Sequence, residues 1–297
     1  MIEYIKNFFR IIWFSLFEVH SLKRGSKKLK KWIKKNKKEQ DPNLHPFSKR
    51  WKYIYKKIRQ FNKRAGIKIK VIGEENIPSG ATWVTPNHTS NLDGFYLIHA
   101  LGSKLELTSV ARDGVKKSRL TSGYFLGSDS FYLNRANIRD SFTVLTQTAQ
   151  YIKKNNRGVI IFPEGTRSLS TDLLDFKCGN FKFPQKYAIP ILPVTVLGTL
   201  QAKHFFSLKY REVTVVIHKV IKPIQHIKLP TDILCKNIRN IIKDELDKYQ
   251  KNLSAKELKH FLKLKEKSKK KQYKKNLKLN KEIQKSLEEN IEGKDDK

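Results

Sequence analysis

The sequence predicts an α/β fold, a single domain with a largely parallel central sheet flanked by helices. Short runs rich in β-branched residues alternate with longer stretches of helical spacing from Ile67 to about Gln250. A chain of 297 residues with 39% hydrophobic content is also long and apolar enough to close a sizeable core. The texture differs at both ends, where lysine dominates.

Tyr4 to Val19 is mostly apolar and aromatic (Phe8, Phe9, Ile11, Ile12, Trp13, Phe14, Phe17) but short for a membrane span. At about 100° per residue, Glu3, Lys6, Asn7, Arg10 and Glu18 fall on one narrow stripe and the aromatic residues cover the rest, as in a helix lying in a membrane interface. No small-residue cleavage site follows, and Lys23 to Lys38 is crowded with lysine, which disfavours a removed signal peptide. If the segment spanned, those lysines would hold the rest of the chain on the cytoplasmic side.

After Pro46, Phe47, Trp51, Ile54, Tyr55, Ile58 and Phe61 recur three or four apart, with Lys49, Lys52, Lys56, Arg59 and Lys63 between them. This is a basic amphipathic helix. Its aromatic stripe suits the headgroup region of an anionic membrane, and it equally suits the chain's own core. Two such helices in series favour the membrane, so residues 1–64 are read as amphipathic membrane-binding helices.

Residues 65–251 form the α/β domain. Strands are expected at Ile67–Ile72, Thr82–Thr85, Leu105–Ala111, Val159–Phe162, Ile191–Leu197 and Val213–Val220. Helices are expected at Asp93–Leu101, Val115–Leu126, Ile138–Asn155 (capped by Asn137) and Asp232–Lys248. Residues 252–297 keep some helical spacing at Leu258, Phe261, Leu262 and Leu264, then lose their apolar residues and read as a basic helical or disordered tail.

A formal charge of +35 calls for an anionic partner: nucleic acid, phospholipid headgroups or a phosphorylated substrate. An AT-rich coding sequence would also raise the lysine count with no partner involved. Aromatic residues interleaved with Lys and Arg fit nucleic acid, but the charge sits at the two ends and forms no RNA-recognition or zinc module. Cys178 and Cys235 lack CxxC spacing, which argues against a disulfide scaffold or a zinc site and fits a reducing interior.

Two blocks carry chemistry. In Thr85-Pro86-Asn87-His88-Thr89-Ser90-Asn91-Leu92-Asp93, a His leaves a strand end and an Asp begins a helix. A carboxylate bonded to one imidazole nitrogen fixes the tautomer and leaves the other free to take a proton from an alcohol. The same spacing arises often by chance, with Asp93 capping a helix and His88 bonded in a loop. Phe162-Pro163-Glu164-Gly165-Thr166-Arg167-Ser168 follows an apolar strand and offers backbone amides, a hydroxyl and a guanidinium, a set suited to a phosphate dianion. Glu164 could orient Arg167 or a substrate hydroxyl, or form a surface ion pair. Phe131-Tyr132-Leu133-Asn134-Arg135 and the strand ending at Arg112 each place a cation after an apolar run.

Together these blocks resemble the glycerolipid acyltransferase family, specifically the 1-acylglycerol-3-phosphate acyltransferases. Asn87-His88 with Asp93 matches the first family motif, Phe131–Arg135 is similar to the second, Phe162–Ser168 matches the third nearly letter for letter, and Ile189–Val194 is similar to the fourth. Phe176-Lys177-Cys178-Gly179 resembles the Phe-Lys-x-Gly stretch after the third. The resemblance covers roughly Ile67 to Ile221 and departs at Asn134, where the family usually has an acidic residue.

The resemblance implies that His88 is a general base partnered by Asp93, and that Glu164, Gly165, Thr166 and Arg167 hold the glycerol phosphate, with Arg135 and Arg112 adding charge. It implies direct attack in a ternary complex, with no metal, no cofactor and no covalent enzyme intermediate. Lysophosphatidic acid would be the acceptor and phosphatidic acid the product, with another lysophospholipid or glycerol 3-phosphate as alternative acceptors. The donor would be a thioester of acyl carrier protein or coenzyme A, or an acyl phosphate. The expected setting is an anionic membrane surface at the cytoplasmic face of the plasma membrane, with no nucleic acid. Backbone amides near His88 are expected to form the oxyanion hole.

Overall fold

The computed structural model describes residues 17–133, 138–168, 172–202 and 211–255, and separate positions of the tail as far as 277. Most of the segment read as an interfacial helix, Tyr4–Val19, and the cap expected at Asn137 lie outside the described residues.

Among the described residues, seven strands form one sheet in the order β1-β7-β6-β2-β5-β3-β4. They are β1 (Ile67–Ile72), β2 (Thr82–Pro86), β3 (Leu107–Arg112), β4 (Phe131–Leu133), β5 (Gly158–Ile160), β6 (Ile191–Leu197) and β7 (Arg211–Ile217). From β6 through β2, β5 and β3 to β4 every pairing is parallel. β7 runs antiparallel to β6, and β1 pairs parallel with β7. The central strands are apolar on both faces, because helices cover both. In β2, Val84 enters the core beneath the N-terminal helices and Trp83 enters the core on the opposite face. In β6, Leu192, Val194 and Val196 face one way and Ile191 the other.

Helices α1 (Val19–Lys38), α2 (Phe47–Arg64) and α3 (Asp93–Leu101) contribute to the first core, with the short α4 (Ser122–Gly127). α5 (Ile138–Asn155), α6 (Lys182–Lys186) and, after the short α7 (Thr199–Ala202) and α8 (Pro223–His226), α9 (Thr231–Lys251) lie with the second core. β1, β6, α3 and α5 have the expected bounds. β5 closes at Ile160 because Pro163, two residues past the last ladder donor Ile161, has no N–H to continue it. The helix expected over Val115–Leu126 is broken into a 3₁₀ segment, Asp113–Lys117, and α4. Between them the Ser118 hydroxyl accepts from Thr121 N at 3.1 Å and Thr121 Oγ1 at 2.8 Å, a local turn that competes with the helical ladder.

The membrane reading of α2's apolar stripe is corrected. Phe47, Trp51, Ile54, Ile58 and Phe61 are all buried, and they pack against α3 and the sheet. Amphipathic spacing was the same signal for either apolar surface. The lysine-rich run after Val19 is itself helical, and its Leu22, Gly25, Ser26 and Leu29 are buried against α4. There Gly123 N donates to Ser26 Oγ at 2.9 Å. No helix among the described residues is long and apolar enough to cross a membrane.

The expectation for the cysteines is also corrected: Cys178 and Cys235 form a disulfide, with Cα atoms 5.3 Å apart. Their separation of 57 residues conceals that the segment after the Phe162–Ser168 block lies along α9. Alkylation of the denatured protein without reductant is therefore expected to add nothing, and after reduction to add two groups, read by intact mass. Two groups added without reductant would refute the bond.

Candidate active site

Parallel strands bring the ends of β2, β5 and β3 side by side, and the two chemical blocks leave the sheet at that edge. Carboxyl ends of strands are where open α/β sheets place their ligands. Asn87 fixes the first block: its amide donates to Val196 O at 3.1 Å and accepts from Val196 N at 2.7 Å, as a further strand residue would.

The His88 ring lies 2.9 Å, through Nδ1, from Asp93 Oδ2. A carboxylate oxygen only accepts, so Nδ1 carries the proton and Nε2 keeps a free lone pair. Nε2 has no hydrogen-bond partner among the described residues, and the His88 side chain is 19% exposed. Phe162 stacks on the ring at 3.9 Å between centroids and limits its rotation. Asp93 is fully buried, and its Oδ2 also accepts from Thr89 N at 2.7 Å and Ser90 N at 2.8 Å. The carboxylate therefore turns back onto the loop and the imidazole, which removes the helix-cap alternative.

Glu164 does none of the things expected of it. It is buried, with Oε1 accepting from His88 N at 2.5 Å and Oε2 from Leu174 N at 3.0 Å. With both oxygens on backbone amides it ties the two loops together rather than reaching a substrate. Ser168 N donates to His88 O at 2.8 Å, a second tie. The amides of His88, Thr89 and Ser90 are all committed to carboxyl oxygens, so none of these three is open to an oxyanion.

The amides of Thr166 and Arg167 carry no hydrogen bond among the described residues. Gly165 adopts φ +66°, the left-handed conformation that turns the chain there. Arg167 is partly buried and has no acidic partner among the described residues; burial, and then the nearby Arg112, weaken its hold on its proton, with Asp93 opposing them. Arg112 is exposed, and Arg135 lies outside the described residues.

The Acyltransferase family model matches residues 68–197. The chain is 33% identical over 215 residues to a probable 1-acyl-sn-glycerol-3-phosphate acyltransferase of Mycoplasma genitalium, covering 68% of this chain and 80% of that one. The chain belongs to this acyltransferase family. It is 32% identical to the 1-acyl-sn-glycerol-3-phosphate acyltransferase of Saccharomyces cerevisiae over 171 residues, 56% of this chain and 55% of the yeast protein. Its fold is similar to the crystal structure of the LPA acyltransferase PlsC from Thermotoga maritima, with a TM-score of 0.62 at 24% identity over 85% of this chain and 99% of that one.

In this acyltransferase, burial pushes the Glu164 carboxyl up to about 8, aided by Asp93 and opposed by the two backbone N–H bonds and Arg239. The folded state thus holds a proton that the unfolded chain releases near pH 4.5. Stability from this group is complete below that pH and is lost as pH rises toward about 8, at about 1.4 kcal/mol per unit. Glu164→Gln removes the linkage. The stability gap between wild type and variant, read by denaturant melts, is expected to narrow steadily from pH 5 to 8; parallel curves would show an ordinary carboxyl.

Proposed function

We propose that this acyltransferase moves a fatty acyl group onto the sn-2 hydroxyl of 1-acylglycerol-3-phosphate, giving phosphatidic acid, with His88 as the general base. The observation that carries the reading is the His88–Asp93 bond at 2.9 Å, with Nε2 unpartnered among the described residues on the same sheet edge as Arg167. Nε2 takes the hydroxyl proton as the alkoxide oxygen attacks the donor's carbonyl carbon. The imidazolium, held by Asp93, returns the proton to the departing sulfur as the tetrahedral state collapses, or leaves it on the phosphate if the donor is an acyl phosphate. Arg167, the free amides of Thr166 and Arg167, and Arg112 receive the acceptor's phosphate, while Glu164 holds the base loop to the phosphate loop.

The setting we propose is the anionic surface of the cytoplasmic face of the plasma membrane, with the lysine-rich α1 rather than the apolar stripe of α2 as the contacting surface. On α1, Lys27, Lys28, Lys31 and Lys35 line a groove of about 480 Å³ with Trp32 and His45. None of these lysines has an acidic partner among the described residues. The donor is a thioester of acyl carrier protein or coenzyme A, or an acyl phosphate.

The test is an acyl-transfer assay on anionic vesicles with lysophosphatidic acid and each donor in turn. Labelled phosphatidic acid should form with one donor; no transfer with any of them would refute the reading. Arg167→Ala is expected to raise the KM for lysophosphatidic acid roughly 10- to 100-fold, since a charged hydrogen bond is worth about 1.5–3 kcal/mol, while kcat changes little. An unchanged KM would place the phosphate elsewhere.

A further inference from the structure

Lys177 is unused by this assignment. It lies in the segment after the phosphate loop, and its side chain crosses directly over Gly165. A Cβ built on Gly165 would stand 2.9 Å from Lys177 Cε and 3.3 Å from Nζ. The lysine stem therefore occupies the space that a side chain at Gly165 would need.

The backbone beneath it is fixed. Lys177 N donates to Pro163 O at 2.8 Å, Phe176 is buried, and Cys178 is bonded to Cys235. The ammonium has no acidic partner among the described residues, and Asp175, two residues before it, lies 3.6 Å from Arg239 instead. An unpaired ammonium thus overhangs a turn whose next two amides are free and whose Arg167 already feels Arg112. Like charges gathered without an acid repel one another unless an anion joins them.

We propose that Lys177 is a third grip on the acceptor's phosphate. This rests on the reading of the chain as a lysophosphatidic acid acyltransferase. The ligand is a phosphate monoester dianion. Arg167 presents a planar fork that takes two oxygens, and Lys177 supplies a point charge for the third.

The test uses Lys177→Met, which keeps the stem and removes the charge, and Lys177→Arg, which restores the charge. Lys177→Met should raise the KM for lysophosphatidic acid and the Ki of inorganic phosphate, as its competitor, by the same factor, roughly 5- to 30-fold for one exposed charged contact. The kcat should hold within threefold and the melting temperature should stay put, and Lys177→Arg should recover most of the affinity. Unchanged KM and Ki in Lys177→Met, or a fall in kcat matched by Lys177→Arg, would overturn the proposal. A wild-type enzyme that transfers nothing to lysophosphatidic acid would instead sink the reading beneath it.

Discussion

His88→Ala is expected to lower kcat for acyl transfer by about 10³- to 10⁴-fold, the upper range for loss of a positioned general base, while the KM for lysophosphatidic acid stays within a few-fold. The split follows from where the side chain sits. His88 touches Asp93 and Phe162, whereas the cations and free amides assigned to the phosphate belong to a different loop. Folding should survive the change. Asp93 Oδ2 keeps the Thr89 and Ser90 amides, and the backbone of residue 88 keeps its bonds to Glu164 and Ser168. Initial rates over a range of acceptor concentrations, with a melting curve as control, decide it. A His88→Ala enzyme that turns over at a tenth of the wild-type rate or faster would remove His88 from the chemistry.

How far the sequence could be read depended on whether a signal was local. β6 is buried along its whole length, so its seven apolar and β-branched residues mark its bounds directly. His88 and Asp93 lie five residues apart, and a strand-to-helix turn is enough to bring them together. Glu164 reaches His88 across 76 residues, and no pattern in one sequence states that β2 and β5 are neighbours. That pairing turned an expected substrate ligand into a tie between loops. The apolar stripe of α2 was legible as a stripe, but periodicity does not say whether lipid or protein covers it. The disulfide was hidden for the same reason as Glu164: spacing along the chain carries no distance in space.

Asp93→Asn separates charge from geometry at the same site. In serine proteases the corresponding change costs about 10⁴ in kcat because the amide selects the wrong histidine tautomer. Here one oxygen, Oδ2, accepts from His88 Nδ1, Thr89 N and Ser90 N, and the other, Oδ1, is buried with no hydrogen-bond partner among the described residues. The two backbone donors compel asparagine to place its carbonyl at the Oδ2 position and its NH₂ where Oδ1 now stands. Nδ1–H keeps its acceptor, so the tautomer is preserved and only the charge that stabilises the imidazolium is lost. A smaller fall in kcat is therefore expected, about 10²- to 10³-fold against that 10⁴, with a melting temperature close to wild type. Asp93→Ala should behave differently. It strands the Thr89 and Ser90 amides without an acceptor at a cost of about 1–3 kcal/mol each, so stability and activity should fall together. Stopped assays and melts on the two variants distinguish these outcomes, and an Asp93→Asn enzyme as poor as His88→Ala would mean that the amide flips and takes the tautomer with it.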